Sequence, residues 1–180
     1  MLLPALPPQP IPLCVAVLAI VTASTDITCR RIPNRILALS LIISLVVQAW
    51  VHGLMLGTGT WLAGAMAGFA LLIPLYLTRG TSAGDVKLLL TIGAWVGPTM
   101  ILYIALATFV IGGVWSIAFV VFRGRTTQLL VNLQCLATSG WRTGSPTSSP
   151  QGKRITSVGS LPYGVAIAAG TLGILFASAV

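Results

Sequence analysis

The sequence predicts an all-α polytopic membrane protein, a bundle of about six transmembrane helices, and three observations carry that prediction. The chain is 56% hydrophobic and only 7% charged, with a mean hydropathy of +0.99, whereas soluble domains carry about 25% charged residues. Burying that much apolar surface with so few charges requires lipid as the solvent. The apolar residues fall into six runs, and the ten Lys and Arg residues gather between alternate runs. The length, 180 residues, suits a single transmembrane domain over 1–180 with no separate soluble domain.

A crossing helix needs about 20 mainly apolar residues, and backbone groups in hydrocarbon must bond within their own segment, so each run is expected to be helical. The first is 9–26. Met1-Leu2-Leu3-Pro4 lacks the basic stretch of a secretory signal, so this run is expected to stay in the mature chain. The second, 36–56, follows Pro33-Asn34, with Asn34 expected as its N-cap. The third, 60–78, carries Gly64 and Gly68, spaced for close helix approach, and Pro74, whose kink neighbouring helices tolerate. The fourth, 85–98, is short; Gly84 gives the chain room to turn ahead of it, and Gly93 and Gly97 form a second close-approach pair. Gly97-Pro98 forces a tight turn into the fifth, 100–122. In the following loop, 128–136 is expected to form a short interfacial helix, and 143–151, rich in Ser, Thr, Pro and Gly, to be mobile. The sixth run is 160–180.

The basic residues orient this array. Arg30, Arg31 and Arg35 follow the first run, Arg79 and Lys87 flank the third connection, and Arg123, Arg125, Arg142, Lys153 and Arg154 lie between the fifth and sixth. The alternate connections and the termini contain none. With six spans every basic loop falls on one side, which the positive-inside rule makes cytoplasmic. Both termini then face the other side. Omitting the short fourth span would scatter the charges. The net charge of +8 therefore reads as an orientation signal, and nucleic-acid binding is not expected. Cys14, Cys29 and Cys135 form no CxxC or Cys/His spacing, so neither a zinc site nor a disulfide framework is expected.

Asp26 and Asp85 are the only acidic residues in the chain. Span parity places both at the cytoplasmic end. Asp85 in Asp-Val-Lys at a helix start reads either as an N-cap or as one member of a pair. Asp26 lies at the C-terminal end of its helix, where the dipole disfavours a carboxylate, and a partner acid is the economical reason for it. Two carboxylates sharing a site do not both ionise readily, so one keeps a proton. That is the state in which an aspartyl protease works. The sole histidine, His52, falls on the opposite side, so no Ser/His/Asp set is available.

The stretch Ser82-Ala83-Gly84-Asp85-Val86-Lys87-Leu88-Leu89 resembles the GxGD motif of the type IV prepilin peptidases, with its downstream Val-Lys-Leu. Asp26 followed by Arg31-Ile32-Pro33-Asn34 is similar to their first aspartate motif. Thr91-Ile92-Gly93-Ala94-Trp95-Val96-Gly97 fits the same pattern, and Leu161-Pro162-Tyr163-Gly164-Val165-Ala166-Ile167-Ala168-Ala169-Gly170 is similar to their last helix. In that family the two motif aspartates are catalytic, which carries over to Asp26 and Asp85. Ser82 departs from the motif by replacing its first glycine. Bifunctional members also carry paired CxxC motifs and methylate the new N-terminus. This chain has no CxxC and resembles the short, peptidase-only form that serves tight-adherence (Flp-type) pili, so no S-adenosylmethionine use is expected.

The expectation is an intramembrane aspartyl endopeptidase of the bacterial inner membrane. It would need neither cofactor nor metal, and would cut the basic leader from prepilin or pseudopilin substrates at the cytoplasmic face. Lys87 is expected to anchor at the headgroups, Tyr163 to sit at the interface, and the arginines to contact membrane lipids. Two other readings compete: a cation or proton transporter built on the paired aspartates, and a non-catalytic membrane scaffold for pilus assembly.

Overall fold

A computed structural model describes residues 4, 6–29, 33–77, 81–122 and 163–179, with side chains at all of these except 119–122. The interfacial helix expected at 128–136, the segment 143–151, Cys135, and the basic residues Arg30, Arg31, Arg79, Arg123, Arg125, Arg142, Lys153 and Arg154 lie outside the described residues. The chain divides into two units, one formed by 1–112 with 162–180, the other by 113–161. Of the second unit, the described part is the final stretch of a helix that begins in the first.

The described residues form five helices and no strand: α1 (Ile11–Cys29), α2 (Asn34–His52), α3 (Leu54–Leu77), α4 (Ala83–Phe122) and α5 (Tyr163–Ala179). Four of them, α1 to α4, are long and apolar enough to cross a membrane, and α5 is a shorter apolar helix. The expected fourth and fifth helices form one element because helical bonding resumes directly after Gly97. At Gly97 itself the backbone leaves the helix, with φ 82° and ψ 174°, a left-handed conformation that glycine adopts without steric penalty.

The break reverses the chain. A straight helix would separate residues 93 and 101 by roughly 12 Å. Yet a Cβ at Gly93 would lie 3.3 Å from Ile101 Cγ1. The reversal leaves carbonyl groups without partners, since Pro98 has no N–H to give the Ala94 carbonyl. Gln48, 2% exposed on α2, supplies the donor. Its Nε2 donates to the Trp95 carbonyl at 2.6 Å and to the Ala94 carbonyl at 3.5 Å. In hydrocarbon an unpaired carbonyl is costly, so a buried amide opposite a helix break has a clear physical reason.

The connection between α2 and α3 also differs from expectation. The turn falls at Gly53, φ 82°, and not at 57–59. Gly57 is already helical and packs its backbone on that of Gln48. Sequence alone offers three glycines here, and only Gly53 takes the left-handed backbone. Pro33 occupies the N-cap position of α2, so Asn34 is its first helical residue and not the cap.

The first half of α4 is the centre of its unit. From 88 to 97 every residue is buried except Leu90, which is half-buried. A helix that is apolar all round is one surrounded by protein, which explains how so short a run persists. Two glycine pairs let α3 reach it. Gly64 and Gly93 press against each other's carbonyl, and Gly68 meets the Leu89 carbonyl, the close approach that their spacing predicts. From α2, the Ser40 hydroxyl accepts a hydrogen bond from the Trp95 indole at 2.9 Å. By contrast α2 turns Leu39, Ile42, Val46 and Trp50 outward, a lipid-facing surface. Elsewhere in the unit α1 packs along α5.

Replacing Gly64 by alanine would drive its methyl into the Gly93 backbone, where no side chain can yield. Gly64→Ala is expected to lower stability by about 1–3 kcal/mol, read as a reduced thermal midpoint in detergent. Gly59→Ala on the same helix meets open space and is expected to leave the midpoint in place.

Candidate active site

The chain's two acidic residues lie at the same end of the first unit. Asp26 lies in the last turn of α1, Asp85 in the first turn of α4, and Tyr163 and Gly164 open α5. Asp26 lies within electrostatic range of Asp85, and Asp85 within range of the Tyr163 hydroxyl. One cluster thus draws on three helix ends. Asp85 is 4% exposed; Asp26 is half-buried.

Each acid is held by one oxygen. The N–H of Gly164 donates to Asp26 Oδ2 at 3.0 Å. This contact accounts for a carboxylate at the unfavourable end of α1. The α1 dipole disfavours it by about 0.3–1 kcal/mol, whereas a hydrogen bond to a charged group contributes about 1.5–3 kcal/mol. The hydrogen bond wins, and the positive end of α5 adds to it. Gly164 is a glycine because of this contact. A Cβ there would lie 2.7 Å from Asp26 Oδ2 and 3.1 Å from Cγ.

Asp85 is capped locally. Ser82 is the N-cap of α4 and Asp85 the third helical residue, so Asp85 is not the N-cap that the sequence suggests. The Asp85 N–H donates to Ser82 Oγ at 3.3 Å, and the Ser82 N–H donates to Asp85 Oδ2 at 3.1 Å. This reciprocal pair is a capping box with aspartate in place of glutamate. The Ser82 hydroxyl adds a third bond, to the same Oδ2 at 2.8 Å. Among the described residues, the Oδ1 atoms of Asp26 and Asp85 accept no hydrogen bond.

Residues 13–117, more than half of the chain, match the type IV leader peptidase family. The chain belongs to that family. No curated protein and no solved structure matches it. The matched stretch of this type IV leader peptidase contains both aspartates and Ser82. It stops short of α5, which supplies the donor to Asp26.

Asp26 and Asp85 lie at the same end of the first unit. Tyr163, expected at the interface, opens α5 at that end and is partly buried against the core. Gly164 was legible only as part of a family pattern. The available signal was a glycine at the second position of an apolar helix, where nothing about helix formation requires one. Lys87, expected as an anchor, is exposed, and its Nζ donates to Asn34 Oδ1 at 3.1 Å, fastening the start of α2 to the start of α4. His52 closes the far end of α2.

Gly164→Ala is expected to displace the Asp26 carboxylate without unsettling the fold, because the atom that yields is the tip of a side chain. Leader-peptide processing by purified protein should fall about 10²-fold, the usual consequence of an ångström-scale misplacement, while the thermal midpoint holds.

Proposed function

We propose that this leader peptidase is an aspartyl endopeptidase in which Asp26 and Asp85 are the catalytic pair. The observation supporting the reading is that the two acidic residues of the chain lie at one end of its bundle, each with one oxygen held by hydrogen bonds. Carboxylates in electrostatic contact favour a state in which a single proton is shared. The ionised member takes a proton from water as its oxygen attacks the scissile carbonyl carbon, and the protonated member gives its proton to the carbonyl oxygen. When the tetrahedral diol collapses, the C–N bond breaks, the amine nitrogen receives a proton, and the shared-proton state returns. The roles exchange within the cycle, so neither residue is a fixed acid or base.

The substrate we propose is the basic leader of prepilin or pseudopilin proteins, cut ahead of their hydrophobic segment at the cytoplasmic face of the inner membrane. Segregation of the basic residues supports this orientation, with both termini on the opposite side. It requires six crossings, the halves of α4 on either side of Gly97 each contributing one. An active site at helix ends lies at interface depth, where water arrives without a deep channel.

Asp26→Asn and Asp85→Asn, each expressed as stable protein, are expected to lose prepilin processing by about 10³-fold or more, since each removes a proton-transfer partner. Processing retained by either variant would eliminate the mechanism.

A further inference from the structure

We propose that the Ser82 hydroxyl is a positioning group for the reaction: by holding Oδ2 of Asp85 it fixes the carboxyl plane, so that Oδ1 exchanges the proton with water and substrate. The inference rests on the aspartyl reading above and names a residue which that reading does not require.

A capping box uses two bonds, from the N-cap backbone N–H to the acid and from the acid's backbone N–H to the N-cap hydroxyl. Both are present between Ser82 and Asp85. The hydroxyl proton is surplus to that scheme. It points at Asp85 Oδ2 at 2.8 Å, so one oxygen accepts two donors from one residue.

The consequence is orientational. The terminal torsion of an aspartate is broad and nearly two-fold, so a single backbone donor lets the carboxyl plane rock or exchange its oxygens. A second donor, from a different direction, restrains that motion. Hydrogen bonds from hydroxyls to carboxylates are among the stronger ones, and Asp85, 4% exposed, lies where competition from water is weak. An oxygen that already accepts two donors has no room to carry the shared proton toward Asp26. That leaves Oδ1, which accepts nothing among the described residues. A glycine at position 82, as in the GxGD motif that this stretch resembles, would keep the backbone donor and lose the hydroxyl.

The test is steady-state cleavage of a leader-bearing substrate by purified full-length protein carrying Ser82→Gly, Ser82→Ala or Ser82→Thr, beside Asp85→Asn. Glycine is a competent N-cap residue, so Ser82→Gly removes the hydroxyl while keeping the helix start. Its kcat is expected to fall about tenfold, the effect of one lost hydrogen bond in the transition state, with KM and the thermal midpoint little altered. Ser82→Ala should lose kcat to the same extent, and Ser82→Thr should restore most of it. Parental kcat in Ser82→Gly, or a Ser82→Thr as impaired as Ser82→Ala, would overturn the positioning role and leave the aspartyl mechanism standing. An active Asp85→Asn would overturn both.

Discussion

The bond from the Gly164 N–H to the Asp26 carboxylate is the contact on which the rest of the site depends. It joins residues 138 positions apart, the last turn of the first helix and the first turn of the last. A carboxylate at a helix C-terminus is electrostatically misplaced; here the N-terminus of another helix corrects it. The requirement runs in both directions. Asp26 needs the donor, and the donor approaches closely enough only because residue 164 has no side chain. The packing of α1 along α5 then brings Asp26 to the end where α4 begins, and Asp85 is already there.

The glycines of α3 and α4 perform the corresponding task for Asp85. The first half of α4 is too short to be a conventional span facing lipid, but it is enclosed by protein over nearly its whole length. Backbone-to-backbone contact at Gly64, Gly68 and Gly93 takes the place of side-chain interdigitation, the usual solution where lipid offers no hydrophobic drive between helices. Gln48 allows the chain to reverse at Gly97 without stranding carbonyls in hydrocarbon.

Much of this was legible in the sequence. Apolar runs flanked by charge gave the helices, parity of the basic loops gave a common end for the two acids, and glycine spacing gave the contact between α3 and α4. What was not legible has specific physical causes. The 57–59 connection misled because Gly57 serves packing while Gly53 serves the turn, a division that composition does not reveal. Asp85 reads from sequence as an N-cap, three positions from its place as the third helical residue, because Ser82 and Asp85 are both good helix-start residues and only the bonding distinguishes them. The reason for Asp26 was sought in a partner acid. The second acid is nearby, but the immediate compensation is a backbone donor, and no backbone N–H can be singled out from a sequence. Membership of the type IV leader peptidase family implies a peptidase, while the α5 contact lies outside the matched residues.

The central claim is that the side chains at 26 and 85 converge at one end of the bundle. It is tested most directly by cross-linking protein in which Asp26→Cys and Asp85→Cys are combined and Cys14, Cys29 and Cys135 are replaced by serine. After a short bis-thiol reagent is added to membranes and the chain is cut between the two positions, the account predicts that the fragments stay joined and that neither thiol remains open to labelling. Fragments that separate, with both thiols labelled independently, would contradict it.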